Sequence, residues 1–364
     1  MKVIQLLPVL RMGDAIGNET LAIRDILLAR GIQTEIYAEG IDSRLPRGIA
    51  RPVEELGGLR EEDVLLYHAS TGFRLSFDLP TYGGRLVMIY HNVTPPHFFS
   101  IYSKTAERIA AYGEKGIAFL ANKTQYCIAI SAYNAEQLRN MGYTCPIDVC
   151  PIIIPFDEYE QEPEQDVLER YAEEGWTNWL FVGRIAPNKR QEDIIRAFYI
   201  YQKETHAKSR LFLVGNSFSM ERYEKRLRLY VKELGLENLV IFPGHISFSE
   251  LLAYYRLADV FVCMSEHEGF CVPLLEAMYF GKPIVAFGAT AVPETVGKAG
   301  LLTEQKDPQL VAAMVQRVLT DENLGLFLAN ERRKQLEKFS YQRTCERFNA
   351  CLDRILTAKS DEKM

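Results

Sequence analysis

The chain has 364 residues, 48% of them hydrophobic and 25% charged, with a formal net charge of −6. That length exceeds one ordinary core and favours two domains, and the hydrophobic content excludes a disordered chain. The acidic balance, with a pI near 5.7, argues against a nucleic-acid binder, which shows a basic face.

In chain order, MKVIQLLPVLRMGD is too short for a membrane span and lacks a signal peptide's cleavage pattern. It reads as a first buried strand over Lys2–Leu7, followed by a glycine-bearing loop from Pro8 to Gly17. A helix is then expected over NETLAIRDILLAR, capped by Asn18 and carrying apolar residues at Leu21, Ile26, Leu27 and Leu28. Further strands are expected over Gln33–Tyr37, Asp63–Tyr67, Arg85–Tyr90 and Tyr126–Ile130. Phe98, Phe99, Ile101 and Tyr102 read as one face of a core helix, and Ser131 and Gly142 bracket a helix over AYNAEQLRNM. Near residues 151–177, three prolines and a run of acids in PIIIPFDEYEQEPEQD mark a linker leading into an acidic helix.

A second alternation of strands and helices follows. WLFVG, RLFLVG, LVIFPG, ADVFVCMS and KPIVAF read as strands. Helices are expected over Gln191–Tyr201 and Met220–Leu234, and Ser247 with Glu250 forms a capping box before ELLAYYRLA. The tail offers apolar stripes over Leu310–Leu319, Leu326–Leu336 and Thr344–Leu356. No other stretch is apolar enough to span a bilayer. The seven cysteines, odd in number and without CxxC spacing, read as free thiols of a reducing cytoplasm. Two βα series imply two doubly wound α/β domains, residues 1–155 and 156–339, with ligands bound beyond the strand ends.

The informative residues follow strands. In SEHEGFCVPLLEAMYFG, Glu268 and Gly269 lie on a loop and Pro273 opens a helix. The amides of Phe270, Cys271 and Val272 precede it, where a helix N-terminus favours a phosphate or a hydroxyl. Glu268 suits sugar hydroxyls, and Glu276, in the first turn, suits a ribose diol, because a carboxylate accepts two hydrogen bonds. Alone, each also fits an ordinary loop or first-turn acid. In FVGRIAPNKRQED, Arg184 and Lys189 are two cations able to neutralise a diphosphate, with Arg190 as a third or as a solvent-facing residue. Gly13 and Gly17 permit close backbone approach, although GxGxxG is absent. His91 follows the strand Leu86–Tyr90 and suits either a sugar hydroxyl or phosphate oxygen or a structural hydrogen bond, as His68 does more weakly. The backbone of Gly244, His245 and Ile246 suits a base edge.

Together these residues resemble retaining glycosyltransferases of family 4. Glu268 to Glu276 fits the family's E-x7-E motif, and VGR at 182–184 with Lys189 supports it. The resemblance covers nearly all of residues 180–305 and, more loosely, the first half. It implies the GT-B fold, two Rossmann-like domains facing a central cleft, with the last helix, about 340–357, returning to the first domain. It also implies transfer from a UDP- or GDP-sugar with retained configuration, by a front-face route without metal or other cofactor. Arg184 and Lys189 fall at the diphosphate positions, Glu268 and His91 at the donor sugar, and Glu276 at the ribose. The amides of Phe270 and Cys271 match the sugar-contacting turn, and Gly13 the phosphate-facing loop. The implied acceptor is a glycan or lipid-linked glycan in cell-surface polysaccharide assembly, at the inner face of a membrane. Phe98, Phe99, Ile101 and Tyr102 are a second reading for contact with a lipid-linked acceptor. Two departures stand out: Arg190 replaces the usual glycine after the lysine, and Gly13-Asp14 replaces paired glycines. The rival readings are a nucleotide-sugar epimerase, a disaccharide phosphorylase, an inactive GT-B binding protein and a nicotinamide-dependent dehydrogenase.

Overall fold

A computed structural model describes residues 1–11 and 13–357. These divide into two units: residues 1–97, 107–155 and 339–357, and residues 98–106 and 156–338.

The first unit holds β1 (Val3–Leu10), α1 (Ala15–Ala29), β2 (Thr34–Ile41), β3 (Arg51–Pro52), β4 (Val64–Ala69), α2 (Leu75–Asp78), β5 (Arg85–Tyr90), most of α3 (Lys104–Leu120), β6 (Tyr126–Ala129), α4 (Ala132–Asn140) and β7 (Ile147–Val149). Its strands are parallel, in the order β3-β2-β1-β4-β5-β6-β7. They read as near-continuous apolar runs because both faces are covered; Val3, Ile4, Leu6 and Leu7 are wholly buried. The chain winds outward from β1 to β3 and then returns to β4. This reversal opens a crevice beyond the carboxyl ends of β1 and β4.

Two local expectations are corrected. Helix α1 starts before Asn18, because the Asp14 carboxylate accepts the Gly17 amide at 2.6 Å and caps it. Phe98 to Tyr102 do not form a helix face. Phe98 ends a 3-10 turn over Pro96–Phe98 and Phe99 to Tyr102 lie in turns before α3, with Phe99 buried while Ile101 is 72% exposed. Ser131 caps α4, as its place in the sequence implies.

The second unit holds α5 (Gln165–Arg170), β8 (Thr177–Val182), α6 (Gln191–Glu204), β9 (Ser209–Val214), α7 (Glu221–Glu233), β10 (Val240–Gly244), α8 (Phe248–Leu257), β11 (Val260–Cys263), α9 (Val272–Tyr279), β12 (Ile284–Phe287), α10 (Val292–Val296), β13 (Leu301–Thr303), α11 (Pro308–Thr320) and α12 (Glu322–Lys338). Its parallel sheet runs β10-β9-β8-β11-β12-β13, so its reversal falls between β8 and β11. The last helix, α13 (Tyr341–Thr357), lies with the first unit, where Arg85 donates to the Ile355 carbonyl at 2.6 Å and Arg30 pairs with Asp353 at 2.6 Å. Among the described residues no helix is long and apolar enough to cross a membrane.

Candidate active site

Strands β8 and β11 are hydrogen-bonded neighbours, and the loops leaving both bring Lys189 and Glu268 together. Lys189 ends a short 3-10 turn, and its Nζ lies 2.6 Å from Glu268 Oε1. Both side chains are largely withdrawn from water, with 20% and 9% exposure. Burial alone would lower the Lys189 pKa, but Glu268 and the neighbouring thiols reverse this and hold it above the usual lysine value. The pair is a buried charge couple at the strand-order reversal, where open α/β sheets bind ligands. Arg184, which also follows β8, is exposed and donates to the Phe218 carbonyl at 3.2 Å.

The Glu268 loop is pinned by side chains that carry no signal of their own in the sequence. Thr290 Oγ1 accepts the Glu268 amide at 2.9 Å, Asn188 donates to the His267 carbonyl at 3.2 Å, and Thr295 donates to the Phe270 carbonyl at 2.5 Å. Gly269 is half-buried, and Phe270 and Cys271 are buried. Cys271 has φ +74°, a left-handed conformation that turns the chain into α9. Val272 is the first residue of α9 and Pro273 the second, and the first-turn amides lack intrahelical acceptors. Glu276, on the buried side of α9, accepts from Tyr159 at 2.6 Å and from Tyr255 at 2.5 Å. Burial raises its pKa and the two phenols pull it back, with burial prevailing. Each oxygen keeps a second lone pair for a further donor. The two tyrosines are not foreseeable from local sequence, since they lie 117 and 21 positions from Glu276.

Arg190 is partly exposed, at 33% of its side chain, and lies among acids. It pairs with Glu192, Asp193 and Glu266 at 3.0–3.4 Å. Its φ of +54° explains why glycine would suit the position. Gly244 ends β10 at φ +81°, His245 is exposed, Ile246 is half-buried, and the Ser247–Glu250 capping box follows.

In the first unit, Gly13 is exposed at φ +77°, and Gly17 packs so closely that a Cβ would lie 2.2 Å from the Arg11 carbonyl oxygen. The His91 ring is turned inward, the setting of a structural hydrogen-bonder. Its side chain is 1% exposed, with Nε2 3.1 Å from His68 Nδ1 and Nδ1 3.5 Å from Glu19 Oε2. All seven cysteines are free. Two groups that sequence spacing does not foreshadow, Glu19/His68/His91 and Cys263/Glu268/Cys271, bring donor atoms within 4.8 Å of one another. The first is an internal hydrogen-bond chain and the second has its carboxylate paired with Lys189, so neither is assigned a metal.

Comparison with known proteins adds to this geometry. The structure of Anabaena HepE in complex with UDP and glucose superposes with a TM-score of 0.77 at 18% identity, covering 97% of this chain and all of that one. At that identity the likeness is one of fold, the GT-B pair of Rossmann-like units. O-antigen chain mannosyltransferase B of Escherichia coli is 25% identical over 309 residues, 83% of this chain and 78% of that protein. The serotype-specific mannosyltransferase WbdA of Escherichia coli is 31% identical over 166 residues, 45% of this chain and only 20% of that longer protein. The relatives and a family match mark the chain as an enzyme of the glycosyltransferase class. More particularly, residues 172–343, which carry the Lys189–Glu268 couple, match the family model "Glycosyl transferases group 1".

Proposed function

We propose that the protein is a retaining, metal-independent hexosyltransferase that takes its sugar from a nucleoside-diphosphate sugar. The observation that carries this reading is the Lys189–Glu268 couple at the β8/β11 reversal. Lys189 and Arg184 neutralise the departing diphosphate, Glu268 and the Gly269–Val272 amides hold the sugar, and Glu276 holds the ribose. The backbone from Gly244 to Ile246 meets the base. Glu268 is already paired with a cation and is a poor nucleophile, which favours a front-face route in which the leaving phosphate oxygen takes the acceptor's proton. Charge stabilisation at the diphosphate is then the protein's main catalytic task. The mannosyltransferase relatives favour a nucleoside-diphosphate mannose as donor and a glycan or lipid-linked glycan as acceptor. Work on such an acceptor would take place on the cytoplasmic face of a membrane.

The test is a thermal-shift panel of nucleotide sugars, followed by measurement of nucleoside diphosphate release with and without a glycan acceptor. One donor is expected to raise Tm by mass action, and release is expected to require the acceptor. Conversion of the donor alone to an epimer would overturn the proposal in favour of an epimerase, and donor binding without any turnover in favour of a binding protein.

A further inference from the structure

Beneath the β1/β4 crevice lies a chain of polar side chains that the proposed reaction does not use. It joins Gln5 on β1, His68 on β4, His91 beyond β5 and Glu19 on α1, all from 0 to 8% exposed. Its hydrogen-bond directions can be deduced link by link. Gln5 Nε2 donates to the Thr20 carbonyl at 3.1 Å, which leaves Gln5 Oε1 as the acceptor facing His68 Nε2 at 3.0 Å. His68 must therefore carry its proton on Nε2, and its Nδ1 accepts from His91 Nε2 at 3.1 Å. His91, protonated on Nε2, then presents a bare Nδ1 to Glu19 Oε2 at 3.5 Å. The other Glu19 oxygen accepts the Ile153 amide at 3.3 Å. Neither Glu19 Oε2 nor His91 Nδ1 has another partner, so one proton between them completes the chain.

That proton sits on one of the two groups. On His91 it would create a buried imidazolium and carboxylate, with the carboxylate supported by a single backbone N–H. Among the described residues neither a lysine nor an arginine pairs with Glu19, so nothing beyond that N–H offsets the cost of a buried carboxylate. We propose that Glu19 is a neutral carboxylic acid at neutral pH and acts as a positioning residue, its proton fixing the ring of His91 and the tautomers of the whole chain. Glu19 thereby ties the start of α1 to the turn after β5 and to the segment at Ile153. Burial acts in the same direction, pushing the Glu19 carboxyl up to about 8 and the His91 ring down to about 3. The titratable neighbours are His91, His68 and the Cys150 thiol beyond β7, and Arg347 of α13 acts on that thiol.

Glu19 keeps its proton in the folded protein up to about pH 8, whereas an unfolded glutamate loses it near 4.5. Stability from this group is therefore full below pH 4.5 and is lost as pH rises towards 8. Glu19→Gln imitates the protonated acid, with an amide N–H for His91 and an oxygen for Ile153, and cannot ionise. Thermal unfolding of the full chain should show wild type losing at least about 4 °C more than E19Q between pH 6 and 9, a shift of the order expected for one ionisation. In E19A the His91 and Ile153 partners are removed and Tm should fall at every pH. Independently of any variant's stability, the infrared spectrum of the folded wild type at pH 7 should contain a protonated-carboxyl band that E19Q lacks. Parallel Tm curves for wild type and E19Q, or no band difference, would overturn the proposal. Neither readout depends on sugar transfer, so failure here and failure of the proposed function are distinguishable.

Discussion

At the scale of single residues, the Lys189–Glu268 couple explains why each member looks unremarkable in sequence. A loop lysine and a loop glutamate carry meaning only when two strands far apart in the chain become neighbours. Lys189→Ala and Glu268→Ala should each lower turnover by at least about tenfold, the effect of removing one charged group that stabilises a transition state. Steady-state rates with saturating donor check this, and near-wild-type rates in both would remove the site assignment. Tyr255→Phe removes one of two phenol donors to buried Glu276. It should cost about 2 kcal/mol in urea unfolding, as for a hydrogen bond to a charged group. Strand-end positions are legible from the sequence because strands announce themselves as apolar runs. The direction of a ring is not. His91 follows a strand, which suggests a ring facing a ligand, but its orientation depends on His68 and Glu19, 23 and 72 positions away.

At the scale of elements, local rules place most strands within a few residues, since β5 and the starts of β10 and β11 are bounded by their own side chains. They fail where the buried face is made of small residues. Helix α3 buries Ala110, Gly113 and Gly116 beside Ile117 and Leu120. Glycine lowers helix propensity, so a 17-residue helix is hidden from a reading of local pattern. The reason lies in the packing: a Cβ at Gly113 would sit 2.9 Å from the Gly72 amide. Close packing at the first loop makes a similar demand. Gly17→Ala places a Cβ 2.2 Å from the Arg11 oxygen. The expected loss is about 1–3 kcal/mol, measured by chemical denaturation. Ser247→Ala, which breaks the capping box of α8, should cost about 1 kcal/mol.

At the scale of the whole molecule, two parallel sheets with the same reversal of strand order make each unit a ligand-binding frame on its own. The βα alternation makes this legible, because parallel strands require covering helices and short crossovers. The catalytic charges of the proposed reaction come from side chains of the second unit, so EDTA should leave initial rates unchanged. A reproducible requirement for magnesium or manganese in the same assay would contradict that.

The return of α13 to the first unit has a consequence for synthesis. The second unit's residues have all been made once the ribosome passes Lys338, whereas the first unit still lacks its closing helix. The order of completion is thus inverted relative to the order of translation. A nascent chain stalled after residue 338 therefore contains every residue of the second unit, while the first unit still awaits the buried face of α13, with Phe348, Leu352 and Ile355.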